Sequence, residues 1–518
     1  MKYDAVESFR ETRERGNNIK IYENSITKKN SQIFFLIRDN LERKLVILYS
    51  AKHKNPSAIF IVEEKGKIEA EGKTFEYSIC PCNHENAVAL RRTFPFTRPR
   101  VMGLTPAIGT GDRIGLATPG HIRAVVKLGV FPVLAQQSVR EMERTQRTPR
   151  EVLDDVSYAV FQEGYRGGFA ADADHLKKEA DLDATFEAGF TMYTVDPSDY
   201  VDNGADRYDL ETLRDKFERL PWDGLGCRKE ECLRAYLGKE FAVLGLGERL
   251  ELRFSEESLL RAAVKYSAAI AYTAKMYRRL KGLCGRRKFD VEMSVDETET
   301  PTSPLEHFFI VAELERLGVR IEGLAPKFVG SFEKAIDYIG DLQKFEGSFK
   351  EHVLIAKACG PYKLSIHSGS DKFSIYPIAG RLAADIVHLK TAGTSYLEAL
   401  RVVARHEPAL FREIAKYSLG RFEHDRRSYH VSTNLSLIPD PEEVADGDLE
   451  KTFLNDNNGR QLMHITFGSV LTAKTSNGEW LFRSRLRRVL IENEEEHYET
   501  VAAHIRRHIE PLWAKSKD

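Results

Sequence analysis

From Arg100 onward the chain alternates short apolar runs with helix-patterned stretches, and this rhythm constrains its fold more than any other feature. The runs are RIGLATP (113–119), FPVLAQQS (131–138), GGFAADADH (167–175), FTMYTVD (190–196), FDVEMSVDETE (289–299), VRIEGLAPKF (319–328), YKLSIHSGSDK (362–372) and ADIVHLKTAGT (384–394). Between them lie amphipathic segments such as PREVLDDVSYAVFQEG, SPLEHFFIVAELERLG and SFEKAIDYIGDLQKF. Strands that alternate with helices pair in parallel through crossovers, and eight such units close into a (β/α)8 barrel. The expected class is therefore α/β, a TIM barrel over residues 101–420 whose mouth lies at the carboxyl ends of its strands.

The flanks read differently. Residues 1–100 hold KIYE, SQIFFLIRD, KLVILYSA, AIFIVEE and KTFEYSI, broken by Asn, Lys and Gly, which predicts an antiparallel, β-rich N-terminal cap. Residues 200–287, between the fourth and fifth runs, are far longer than a βα crossover and read as an inserted helical subdomain placed to cover the mouth. Residues 421–518 read as a C-terminal extension packed on the outside of the barrel.

Charge narrows the function classes. With 77 basic against 78 acidic residues, nothing in the net charge of −1 attracts nucleic acid or an anionic membrane. No run approaches the roughly 20 apolar residues of a membrane span, and MKYDAVESFRETRERG has no signal-peptide core. Six cysteines in 518 residues make no disulfide framework, so a reducing, cytoplasmic setting is expected, and Cys80/Cys82 and Cys227/Cys232 read as ordinary thiols without a second pair at zinc-finger spacing.

Polar residues collect where the apolar runs end, the place where a barrel carries chemistry. Gln137 and Ser138 end the second run, Asp174 and His175 the third, and Thr194 lies in the fourth. Lys327 ends the sixth, His367, Ser368, Ser370, Asp371 and Lys372 the seventh, and His388 and Lys390 lie in the eighth. In the fifth run Phe289, Val291, Met293 and Val295 should face the helices, which turns Asp290, Glu292, Ser294 and Asp296 inward and leaves Glu297 at the rim. Imidazoles beside carboxylates suit a divalent Mn, Co, Ni or Zn ion acting as a Lewis acid, with His175 and His367 the leading ligands. His307 opens a helix in LEHFF, where it either ligates or satisfies the first turn, and His388 reads as structural. Lys327, Lys372, Lys390, Ser368 and Ser370 around such an ion favour an anionic, hydroxyl-rich small molecule, a sugar acid or sugar phosphate.

The runs LATPGH, QQSVRE, FAADADH, TVDPSDY, SVDETETPTSPLEH, LAPKFVGSFEKAIDYIGDL and SIHSGSDKFSIYP together resemble the tagaturonate epimerase family, over roughly residues 95–440. The resemblance implies metal-dependent interconversion of D-tagaturonate and D-fructuronate. It implies Asp174 as base, Glu292 as the acid from the fifth strand, His175 and His367 as metal ligands and His307 as the third. Gln137, Ser138, Thr194, Lys327, Ser368, Lys372 and Lys390 are the expected substrate contacts. The two sugar acids differ at a carbon two bonds from the ketone, so simple enolisation does not make that C–H acidic. No GxGxxG follows a strand to hold a nicotinamide for transient oxidation. Retro-aldol cleavage and recombination is the favoured route. A metal-dependent aldolase or isomerase acting on a sugar phosphate, and a non-catalytic sugar-acid sensor, are the alternatives. The oligomeric state is not encoded in any motif.

Overall fold

The structure is a computed structural model that describes residues 2–14, 19–50, 59–126 and 128–513. Six strands form an antiparallel N-terminal sheet: β1 (Ile19–Ile21), β2 (Thr27–Lys29), β3 (Gln32–Asp39), β4 (Glu42–Ser50), β5 (Glu64–Ala70) and β6 (Lys73–Pro81). KLVILYSA forms β4 up to Ser50, and its last residue lies outside the described residues. AIFIVEE, whose first residue also lies outside them, is irregular until Glu64.

The barrel is closed by eight parallel strands: β7 (Ala107–Gly109), β8 (Phe131–Ser138), β9 (Ala170–Leu176), β10 (Met192–Val195), then, after the hairpin β11 (Glu240–Gly245) and β12 (Glu248–Arg253), β13 (Asp290–Ser294), β14 (Gly323–Ala325), β15 (Lys363–Ile366) and β16 (Val387–Lys390). They close in the order β10-β13-β14-β15-β16-β7-β8-β9, so β16 pairs with β7.

Seven of the eight expected runs contain a barrel strand, and RIGLATP does not. The first strand is the earlier Ala107–Gly109. RIGLATP instead wraps the buried Asp112 carboxylate, which accepts from the backbone N–H of Ile114, Gly115, Ala117 and Thr118, and then enters the helix Thr118–Val125. In this loop Ile114 is buried and Leu116 half-buried among C-terminal helices, so apolar content alone imitated a strand.

Period-two alternation sets the site. In β13, Val291 and Met293 pack into the surrounding shell, while Glu292 turns inward and Asp290 accepts from Met102 N–H at 2.7 Å at the closed end. In β9, Ala171 and Ala173 join the apolar shell, which leaves Asp172 and Asp174 on the inner face.

The insertion ends in the helix Glu256–Cys284, whose buried face packs on helices Leu210–Glu218 and Pro304–Arg316. None of residues 200–287 lines either cavity at the mouth, contrary to the expected cover. The C-terminal extension does reach it. Helix Glu494–Trp513 packs on the barrel's outer helices Thr118–Val125 and Ser395–His406, but Tyr429 and His464 line the mouth. Among the described residues no helix is long and apolar enough to cross a membrane.

Burial holds several histidines neutral, with His121, His352, His388 and His497 pushed down to about 4 and His508 to about 3. The unfolded chain takes up these protons near 6.5, so their contribution to stability is present above about 6.5 and is lost as pH falls toward 4. Burial of Asp172 and Glu322, raised to about 6 and about 7, acts in the opposite sense but involves fewer groups. The thermal midpoint is therefore expected to fall as pH drops through this window, and a calorimetric midpoint constant from pH 6.5 to 4 would contradict this account.

Candidate active site

One ammonium organises the inner end of the site. Lys390, at the end of β16, places Nζ at 2.8 Å from a carboxylate oxygen of each of Asp172, Asp174 and Glu292, and at 2.8 Å from Thr194 Oγ1. Four strands thus converge on one charge. Burial opposes the ammonium, but the three carboxylates outweigh it and hold Lys390 well above its usual range.

The carboxylates respond unequally. Burial raises Asp172 to about 6, only partly countered by Lys390. Asp174 is equally buried, but Lys390, His175 and His367 hold it below the usual carboxylate range, and Gln136 donates to its Oδ2 at 2.6 Å. Glu292 is fully buried and stays ionised because Lys390 and His367 more than offset its burial. Ser365 also donates to it.

Two imidazoles stand above this layer. His175 has φ 53°, a left-handed residue where the β9–β10 register shifts, and this bulge aims at the mouth a side chain that regular alternation would send outward. Its Nδ1 is 3.1 Å from Asp196. Burial lowers it, but Asp174, Asp196 and Asp296 raise it to about 10. His367 lies 2.7 Å through Nε2 from Glu292 and 3.1 Å through Nδ1 from Asp296, and the two rings meet edge-on at 5.0 Å. Burial and Lys390 lower His367, but Asp296 and Glu292 raise it on balance.

Asp174, His175 and His367 can each offer an atom to one point, all within 4.8 Å of one another. Around them acidic groups outnumber Lys390, and both imidazoles tend toward their protonated forms. An excess of buried negative charge that draws protons onto imidazoles is an environment that suits a dication.

Asp174, His175, Ser138, Ser368 and Lys390 line a narrow inner cavity with His367, and Lys327 lines a roomier outer one. The two cavities share Arg140, Lys334, His367, Ser368 and Tyr429. Thr194 lies beneath, bonded to Asp172 at 2.9 Å, and Glu292 supports His367 from below without lining either cavity.

Three expected residues lie elsewhere. His307 is on the outer helix, with Nδ1 2.8 Å from His352 and Nε2 2.7 Å from Tyr362, and burial holds it neutral. Its helix begins at Pro304, after a loop that follows the strand end at Ser294, and LEHFF turns the ring into the shell rather than the mouth. Lys372 spends its ammonium on the carbonyls of Glu333, Ile336 and Ser370. Gln137 is displaced by its neighbour, because alternation puts Gln136 inside and Gln137 on the opposite face.

Several site residues carried no motif of their own. Asp172 was visible two positions before Asp174, and the same alternation identifies it. Gln136 could have been found in the same way. Arg113, Lys334, Tyr429 and His464 come from loops and from the extension, which no strand-end rule addresses.

A closed parallel barrel with its ionisable groups gathered at the carboxyl ends of the strands is the architecture of a TIM-barrel enzyme. The chain belongs to the tagaturonate epimerase family, whose model matches residues 22–512. It is 47% identical over 497 residues, 96% of this chain and 98% of the relative, to the tagaturonate/fructuronate epimerase of Thermotoga maritima. A glycerol-bound crystal structure of the fructuronate-tagaturonate epimerase UxaE from Cohnella laeviribosi superposes with TM-score 0.89 at 39% identity, covering 98% of this chain and 99% of that one. The native crystal structure of the same protein gives 0.88 at 38%, covering 99% of each chain.

Removing the central ammonium strands three carboxylates in a closed layer. Lys390→Met should cost about 3–5 kcal/mol of stability, the usual penalty for deleting one partner of a buried ion pair. Urea denaturation measures it, and an unchanged midpoint would show that the carboxylates are neutralised by other means.

Proposed function

We propose that this protein interconverts D-tagaturonate and D-fructuronate by metal-assisted retro-aldol cleavage and recombination. The observation that carries this reading is the meeting of Asp174, His175 and His367 at one point on the wall of the cavity. Its support from relatives is the 47% identity to an epimerase of that name. His175 and His367 would hold a divalent ion of the Mn, Co, Ni or Zn kind, which when bound supplies Lewis-acid polarisation of the ketone. Glu292, 2.7 Å from His367, and Asp196, 3.1 Å from His175, would orient the two rings.

Asp174 is the base. It is kept ionised and lines the inner cavity, where it can take the proton from the hydroxyl on the carbon that epimerises. The adjacent carbon–carbon bond then opens to an aldehyde and an enediolate. The aldehyde turns its other face, the bond re-forms, and the new alkoxide is reprotonated. Glu292 lines neither cavity, so the second proton-handling carboxylate is assigned to Asp296, which lines the outer cavity beside His367. The roles of Asp174 and Asp296 exchange with the direction of reaction.

The direct test incubates purified protein with D-tagaturonate and follows D-fructuronate by chromatography, with and without chelator. Conversion should vanish on chelation and return with Mn²⁺, Co²⁺, Ni²⁺ or Zn²⁺. Full activity after exhaustive chelation would remove the metal from the scheme, and accumulation of two fragments would mark an aldolase.

Separate roles predict separate losses. Asp174→Asn and Asp296→Asn should retain the ion while kcat falls about 10²–10⁴-fold. Glu292→Gln should weaken metal affinity by about 10–100-fold, as expected of a group that orients a ligand. Loss of the ion in Asp174→Asn would move that residue into the ligand set.

A further inference from the structure

Every cation near the site except one is already engaged by the protein. Arg113 donates through Nε to Glu141 at 2.9 Å and lies over the Phe467 ring. Arg140 pairs with Glu297 at 3.0 Å, Lys390 with three carboxylates, and Lys327 donates to the Thr298 carbonyl. Lys334 has no carboxylate within ion-pair distance among the described residues. Its one described hydrogen bond goes to Ser368 Oγ at 2.7 Å, leaving donors of a half-buried ammonium free on the wall shared by the two cavities.

A second orphan faces the same space. His464, on the helix Asn457–Ile465 of the C-terminal extension, is 2% exposed and lines the inner cavity. Among the described residues neither ring nitrogen has a hydrogen-bond partner. Burial, with Arg113 and Lys334 nearby, keeps the ring neutral, so it offers one N–H donor and one acceptor. The ring packs so close to Gly393 that a Cβ there would run into it, which fixes its place at the cavity wall.

An unpaired ammonium and a buried donor without a partner, on the wall of one cavity, match a carboxylate with a hydroxyl beside it. We propose that Lys334 and His464 form the receptor for the carboxylate end of the substrate, holding it so that the carbon to be epimerised lies at Asp174, His175 and His367. This rests on the sugar-acid reading above and adds the residues that would select an acid over a neutral sugar. It also gives the C-terminal extension a part in binding, since it supplies His464.

The test compares D-tagaturonate with D-tagatose, in which CH2OH replaces the carboxylate, by calorimetric apparent Kd on metal-loaded protein, with turnover of the acid measured in parallel. Lys334→Ala should weaken D-tagaturonate about 10–100-fold, the loss of a hydrogen-bonded charge, with KM rising more than kcat falls. D-tagatose binding should be unchanged. Lys334→Arg should restore most of the affinity, and His464→Ala should shift the acid in the same direction by less. Unchanged acid affinity in Lys334→Ala would overturn the proposal. So would an equal loss for both sugars, because that marks a distorted loop rather than a lost charge. If the parent protein binds D-tagaturonate but does not convert it, the epimerase reading falls and the affinities still decide the role of Lys334. If it does not bind D-tagaturonate, the receptor falls too.

Discussion

The site depends on the Lys390 ammonium lying 2.8 Å from each of three buried carboxylates. Asp172, Asp174 and Glu292 could not all stay ionised in a closed barrel layer without it, because like charges in a low-dielectric interior drive protons onto one another. With it, Asp174 and Glu292 remain anionic and only Asp172 is pushed up, to about 6. Glu292 then holds His367 through Oε1, the same oxygen that meets Lys390, and Asp174 lines the cavity with Oδ1 on Lys390 and Oδ2 accepting from Gln136.

One layer up, the excess of carboxylate reaches the imidazoles. His175 is raised to about 10 by Asp174, Asp196 and Asp296, so a dication held at this point would displace its proton and would bind less tightly as pH falls. The rim differs from this floor. Arg113 and Arg140 are paired with Glu141 and Glu297, and Lys334 has no carboxylate within ion-pair distance among the described residues, so an anionic sugar would meet an available ammonium above an acidic floor. That difference would give such a substrate a direction in the cavity.

The extension shows how a barrel recruits parts from outside its repeat. The long helix Glu494–Trp513 clamps the outer helices, while the short helix Asn457–Ile465 turns inward and delivers His464 to the mouth. The 200–287 insertion, although larger than any ordinary crossover, packs along the flank through helix Glu256–Cys284 and leaves both cavities to others.

By itself the sequence determined the features that depend only on period and position. The βα rhythm defined the barrel, and period-two alternation put Glu292 and Asp174 on the inner face, because a strand sends alternate residues to opposite sides whatever surrounds it. The same rule selects Gln136 over Gln137 and includes Asp172. RIGLATP imitated a strand because loop residues wrapped on a buried carboxylate are as apolar as strand residues. Only the tertiary structure decided the rest. The bulge at His175, the outward turn of His307, the carbonyl cage of Lys372 and the arrival of Lys334 and His464 depend on which groups meet across hundreds of residues. Those meetings are set by barrel closure and by the packing of the extension, and no local pattern encodes them.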